Sequence, residues 1–252
     1  MLLCGVAAIA ADDLAPDEIV RRFAAKEAEF AKARANYTYR QSVKIQELTP
    51  GGAVTGQHEM ISDIIFTPEG KRTERVVRAP VSTMKLSLDP GDEEDLRNVQ
   101  PFVLTTDQIP EYDIRYLGRQ KVDEIPCYQF SVKPKRMEKG KRYFEGEIWV
   151  DDRDLQIVKT YGKGVGLRNK GADNQYPRFE TYHEQIDGKY WFPTYTRADD
   201  VLHFKDMDQR LRMTVKYEDY KQFRSQTTIT FGEEVKDPGA TTTPPVKPPQ
   251  KK

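Results

Sequence analysis

The chain has 252 residues, 32% of them charged, and a mean hydropathy of -0.75. Forty basic and forty acidic side chains cancel to a net charge of +0, so no field of one sign is present to recruit nucleic acid or an anionic membrane. No apolar run approaches the ~20 residues that a membrane helix needs, so the chain does not read as an integral membrane protein, and its length suits one domain with a good core.

Met1 to Ala11 is short, apolar and closed by small residues ahead of Asp12. Ala8-Ile9-Ala10 fits the small-x-small cleavage pattern, although no basic stretch precedes it. Residues 1–11 are read as the remnant of a signal peptide, with cleavage near Ala10 or Ala11, which predicts a periplasmic or otherwise exported protein. Cys4 follows Leu3, too large for the residue before a lipidated cysteine. Cleavage leaves Cys127 alone, which excludes an intrachain disulfide, and Cys127 reads as a small apolar strand residue.

Asp12 to Asn36 predicts an amphipathic helix. Pro16-Asp17 suits a first turn, and Leu14, Ile19, Phe23, Ala24, Glu27 and Phe30 recur mostly at helical spacing, opposite Arg21, Arg22, Lys26, Glu29, Lys32 and Arg34. From Tyr37 the period changes to two, with Tyr37, Tyr39, Gln41, Val43 and Ile45 on one face. Pro50-Gly51-Gly52 and Pro68-Glu69-Gly70 are turn signals, with Met60, Ser62, Ile64 and Phe66 alternating between them, and Lys71 to Arg78 is a third strand. Pro80 to Pro110 breaks the pattern: Met84, Leu86 and Leu88 alternate, Pro90 opens a short helix with acids in its first turn, and Phe102-Val103-Leu104 forms a separate apolar patch.

Strands resume at Tyr112 to Gly118, Cys127 to Val132, Tyr143 to Asp151 and Leu155 to Tyr161. Gly162 to Asn174 holds four glycines without periodicity and predicts a loop. Gln175 to Ile186, Lys189 to Asp199 and the alternation Leu211, Met213, Val215, Tyr217 complete the set, with Asp187-Gly188 as a hairpin turn. Residues 237–252, rich in Pro, Thr and Lys, read as a disordered tail, leaving 12–236 as one domain.

Catalytic and metal motifs are missing. His58, His183 and His203 lie in separate patterns without ligand spacing, and no nucleophile elbow or phosphate loop occurs. Asp151, Asp152 and Asp154 read as a solvated turn rather than a calcium loop, and Glu145 and Glu147 as ordinary strand residues rather than a glycosidase pair. The expectation is a non-enzyme without metal or cofactor.

Gly146-Glu147-Ile148-Trp149-Val150-Asp151, followed by Leu155-Gln156-Ile157-Val158-Lys159, resembles a strand pair of periplasmic outer-membrane lipoprotein-sorting proteins, the LolA/LolB-like superfamily. The hairpin Tyr190-Trp191-Phe192-Pro193-Thr194 resembles that family's later strands, and the order of helix, strands, helical excursion and more strands is similar. The resemblance implies a mainly β (α+β) fold, an open antiparallel half-barrel sheet covered by the N-terminal amphipathic helix and the short helical excursion, with acyl chains held on the covered face. No individual functional residue is carried over from it.

The implied function is an exported carrier or sensor that binds an acyl chain or lipoprotein in an apolar cavity, with an envelope protein as a further candidate partner. The alternatives are an interaction domain without a cavity and an envelope hydrolase. The strands present Val43, Ile45, Ile64, Phe66, Val76, Tyr128, Phe130, Ile148, Val150, Met213 and Val215, more apolar face than one long and one short helix can cover. These residues are the expected cavity lining. The competing arrangement has loops such as Val99 to Pro110 filling the gap.

Overall fold

A computed structural model describes residues 14–67, 71–167 and 176–223. The leader 1–11, the turn at 68–70, the tail 237–252 and the end of the predicted 12–236 domain lie outside the described residues. Helix α1 (Pro16–Arg34) comes first, followed by β1 (Tyr37–Leu48), β2 (Val54–Phe66) and β3 (Arg72–Arg78). A crossing over residues 79–111 carries α2 (Pro90–Glu94), a π-helical turn (Asp95–Val99) and a 3-10 turn (Ile109–Glu111). Then come β4 (Tyr112–Val122), β5 (Ile125–Pro134), β6 (Tyr143–Asp151), β7 (Ile157–Val165), β8 (Phe179–Gln185), β9 (Trp191–His203) and β10 (Asp208–Gln222).

Among the described residues, ten strands form one open antiparallel sheet in the order β3-β2-β1-β10-β9-β8-β7-β6-β5-β4. The fold is therefore mainly β, an open half-barrel rather than a closed barrel. Each neighbouring pair is consecutive in the chain except β1 with β10, whose register runs from Tyr37 opposite Gln222 to Leu48 opposite Arg210. Because β3 and β4 are the two edges, their connection must pass from one side of the sheet to the other. Ten strands at about 4.8 Å spacing span about 43 Å when flat, so residues 79–111 have to lie across the sheet face.

Helix α1 covers the same face farther along the sheet. Asp17 and Glu18 stand in its first turn and Lys32 and Arg34 in its last, each sign opposing the helix dipole. Ile19, Phe23, Ala24 and Phe30 are buried. The Phe23 ring lies 5.6 Å from Phe130 of β5, and Phe30 meets Phe192 of β9 edge-on at 5.0 Å. Burying a side chain of this kind is worth ~1.5–3 kcal/mol, so the stripe and not local propensity holds the helix down.

Several strands run longer than their sequence pattern predicts, and for β4 and β7 glycine is the reason. β4 continues past Gly118 to Val122 because that glycine takes φ +116° at a bulge, which breaks the visible alternation without ending the pairing. β7 includes Gly162, Gly164 and Val165, which corrects the loop reading of that stretch. Its glycines are close-approach positions. A Cβ on Gly162 would lie 2.8 Å from the Phe144 ring, and one on Gly164 would collide with the Asp95 carboxylate. The remainder of the expected loop, 168–174, lies outside the described residues.

Candidate ligand-binding site

The first part of the crossing, residues 79–89, is an irregular strap over the β1–β2 end of the sheet. Thr83 donates its backbone N–H to the Gln57 carbonyl at 2.9 Å, and its hydroxyl accepts the Gln57 N–H at 2.9 Å. The principal tether is Glu47, a fully buried carboxylate on the inward face of β1. It accepts the Lys85 N–H at 3.0 and 3.1 Å and the Leu86 N–H at 2.7 Å. The strap also presses on Gly56 of β2, where a Cβ would lie 2.6 Å from the Thr83 oxygen and 2.9 Å from the Met84 Cα.

Two pockets flank this strap. The smaller, about 140 Å³, lies between strap, α2 and the β9–β10 end, against Ile45, Leu88, Leu96, Phe179, Leu211 and Met213. The larger, about 610 Å³, lies towards the β3 edge and is mixed in character: Val43, Met60, Val76 and Leu86 line it together with Gln41, His58, Glu74, Glu93 and Arg97. Met84, Leu86, Ser87, Leu88 and Leu96 line both, so the strap and the first residues of the π-helical turn are the wall between them.

Of the eleven residues expected to line a cavity, Ile45 and Met213 border the smaller pocket and Val43 and Val76 the larger. Val76, at 55% exposure, forms part of its rim. Ile64, Phe66, Tyr128, Phe130, Ile148, Val150 and Val215 lie in the continuous buried core instead. Around Phe130 the space is filled by Phe23 and by Tyr116 at 5.3 Å. Farther along the crossing Val99, Phe102 and Leu104 are buried, and Phe102 stacks on Phe144 at 4.5 Å. Loop side chains thus fill part of the face, and the space left over sits at the strap.

Several wall residues escape pattern reading. Glu47 had a signal: it shares the inward parity of Val43 and Ile45, where an unpaired charge is costly and implies a dedicated partner. Met84, Leu86 and Leu88 show their alternation in the sequence, but not that it lies across other strands. Gln100 carried no signal.

One side of the smaller pocket is acidic. Asp89 caps α2, accepting the Asp92 N–H at 2.8 Å while Asp92 accepts the Asp89 N–H at 2.7 Å. Burial pushes Asp92 up to about 6. Burial also raises Asp95, against the opposing pull of Arg142, which donates to its two oxygens at 2.9 and 2.7 Å. The Arg142 guanidinium lies 3.8 Å from the Tyr176 ring centre. Among the described residues no group of three His, Cys, Asp or Glu could hold a metal ion.

Other titratable groups are packed into the fold. Under α1, Glu27 accepts the Ile157 N–H at 3.0 Å, and burial pushes its carboxyl up to about 8. Burial lowers His183 of β8 to about 4. The Cys127 thiol is pushed up to about 12 by burial, which opposes nucleophilic use at neutral pH. His203 is exposed and meets Asp208 at 2.8 Å, while His58 borders the larger pocket.

No family model matches the sequence, and no curated protein matches it. Among solved structures, the chain is similar to a DUF1329 family protein from Desulfovibrio piger. The TM-score is 0.42 and the identity 15%, over 83% of this chain and 94% of that one. It is similar also to a LolA superfamily protein from Nitrosomonas europaea, with TM-score 0.37 and 12% identity over 84% and 95% of the two chains. A likeness to a LolA superfamily protein, expected from the segments Gly146 to Asp151, Leu155 to Lys159 and Tyr190 to Thr194, is found at this low identity.

Proposed function

We propose that this protein is an exported, non-enzymatic carrier or sensor that takes an acyl chain or similar apolar group, free or on a lipoprotein, beneath the strap. One observation carries the reading: two pockets, each with apolar side chains over much of its lining, share a wall that is an irregular segment rather than a helix or strand. Val43, Ile45, Val76 and Met213 would meet the ligand, and the other seven apolar strand residues hold the sheet in shape behind it. Each buried methylene is worth roughly 0.8 kcal/mol, so a chain of about ten carbons would gain up to ~8 kcal/mol before ordering costs. Export to the envelope rests on the Ala8-Ile9-Ala10 pattern.

The test is titration of delipidated, folded protein with Nile red, a neutral apolar dye, with mass spectrometry of lipids that co-purify from an envelope-bearing host. Saturable, blue-shifted binding that weakens in Leu88→Lys supports the carrier reading. No saturable binding defeats it and leaves the interaction-domain reading.

A further inference from the structure

β3 stands at one edge of the sheet, and among the described residues no strand lies beyond it. Thr67 donates its N–H to the Lys71 carbonyl at 2.9 Å, which makes these two a hydrogen-bonded pair where β2 turns into β3. The antiparallel alternation then bonds Thr73 to Ile65 and Arg75 to Asp63. It turns the backbone N–H and C=O of Arg72, Glu74 and Val76 away from β2. Such a row of donors and acceptors is a template for one more strand. The side chains beside the row decide what it can take. Arg75 points to the outer face of the sheet, 73% exposed, with Asp63 as its partner. Lys71 and Arg78 are exposed too, and among the described residues neither makes an ion pair. The nearby acids are already engaged: Glu74 meets Arg72 at 3.3 Å, and Asp63 holds both Arg40 and Arg75. In a chain of net charge +0 this edge is therefore locally basic. On the inner face Val76 offers an apolar side chain, half exposed.

We infer that the β3 edge binds an extended segment of a partner protein in which acidic residues alternate with apolar ones. The segment adds a further strand to the sheet. Period-two alternation places its acids on the outer face, near Arg75 and between Lys71 and Arg78, and its apolar residues on the inner face beside Val76. Backbone pairing with Arg72, Glu74 and Val76 supplies the attachment, and the charges supply the selectivity. A second copy of this chain does not fit. β3 against β3 opposes cations to cations, and the other edge, β4, carries Arg115, Arg119 and Lys121 against Asp113. Like charges directly opposite destabilise a strand pair. Such binding needs no ligand beneath the strap.

The test is fluorescence anisotropy of capped, labelled octapeptides with the full chain at pH 7.4 and physiological salt. One peptide alternates glutamate with valine, one alternates lysine with valine, and one is the glutamate peptide N-methylated at its central residues, which keeps its charge and removes its strand-forming N–H groups. The glutamate peptide should bind saturably and at least ten-fold tighter than either of the others. With Arg75→Glu and Arg78→Glu combined, the preference between glutamate and lysine peptides should reverse. Amide hydrogen exchange on the wild-type chain locates the site without any substitution: bound peptide should slow exchange at Arg72, Glu74 and Val76 and leave the β4 amides unchanged. No saturable binding of the glutamate peptide, equal binding of the lysine or the N-methylated peptide, or protection at β4 instead of β3 overturns the inference.

Discussion

Replacing Glu47 with alanine isolates the strap tether. The carboxylate accepts from two backbone amides, Lys85 and Leu86, the shorter contact being 2.7 Å. Hydrogen bonds to a charged group contribute about 1.5–3 kcal/mol each, an upper range of ~3–6 kcal/mol for two donors. Lys85 is exposed, so its freed amide can turn to water and the net loss falls to or just below the lower end of that range, about 2–3 kcal/mol. That equals a ~30–150-fold rise in local opening, since every 1.4 kcal/mol is tenfold. Amide hydrogen exchange reads it directly. Lys85 and Leu86 should lose protection by that factor, while amides of the β6–β7 pair, far along the sheet, lose much less. Bound dye should also leave faster. Uniform loss of protection across strap and sheet would refute the reasoning, because Glu47 would then stabilise the core as a whole rather than hold one segment.

Gly56→Ala should act on the same segment from below, since the added Cβ meets the Thr83 carbonyl and Met84 Cα. Neither is the flexible end of a side chain, so the strap must shift. Altered protection at 83–86 and weaker dye binding are expected, and unchanged binding would show that the strap position does not matter. Glu27→Gln should raise the melting temperature progressively with pH. The folded carboxyl is raised from 4.5 to about 8, so its contribution to stability is fully present below pH 4.5 and lost as pH rises through 8. The variant should match wild type near pH 4 and exceed it by a few kcal/mol at pH 9, because each tenfold change in proton affinity is worth about 1.36 kcal/mol. His183 runs the other way: lowered to about 4, it favours the folded state above pH 6.5 and loses that contribution as pH falls towards 4.

Where a residue's partners are near in sequence or share its strand, the pattern alone identified its role. The stripe Ile19, Phe23, Ala24, Phe30 is a three-and-four repeat, and α1 lies where that repeat places it. The inward parity of Tyr39, Val43 and Ile45 is kept by β1 for the same reason. Glycine hid the rest. At Gly118 it absorbed a bulge, and at Gly162 and Gly164 it admitted the Phe144 ring and the Asp95 carboxylate, contacts with residues far away in the chain. The pockets were beyond pattern reading for a related cause. Apolar alternation states which residues face inward, but whether Phe130 or Met213 ends beside a void depends on which segment crosses above it. That is decided by Phe102 stacking on Phe144 and by the strap resting on Gly56.

The pairing of β1 with β10 makes the order of synthesis matter. β1–β3 and β4–β9 are each strings of hairpins that can form as they emerge, and among the described residues only β10 joins them edge to edge. β10 is thus the keystone of the sheet, locked at its end where Phe223 donates its N–H to the Asn36 carbonyl at the head of β1. Until it arrives, the chain is two separate ribbons, of three and six strands, each with a bare edge where β10 will pair. Such edges invite pairing with other chains, and late long-range closure of this kind is slow. A nascent or truncated form ending before Asp208 would therefore need protection from aggregation that the finished protein does not.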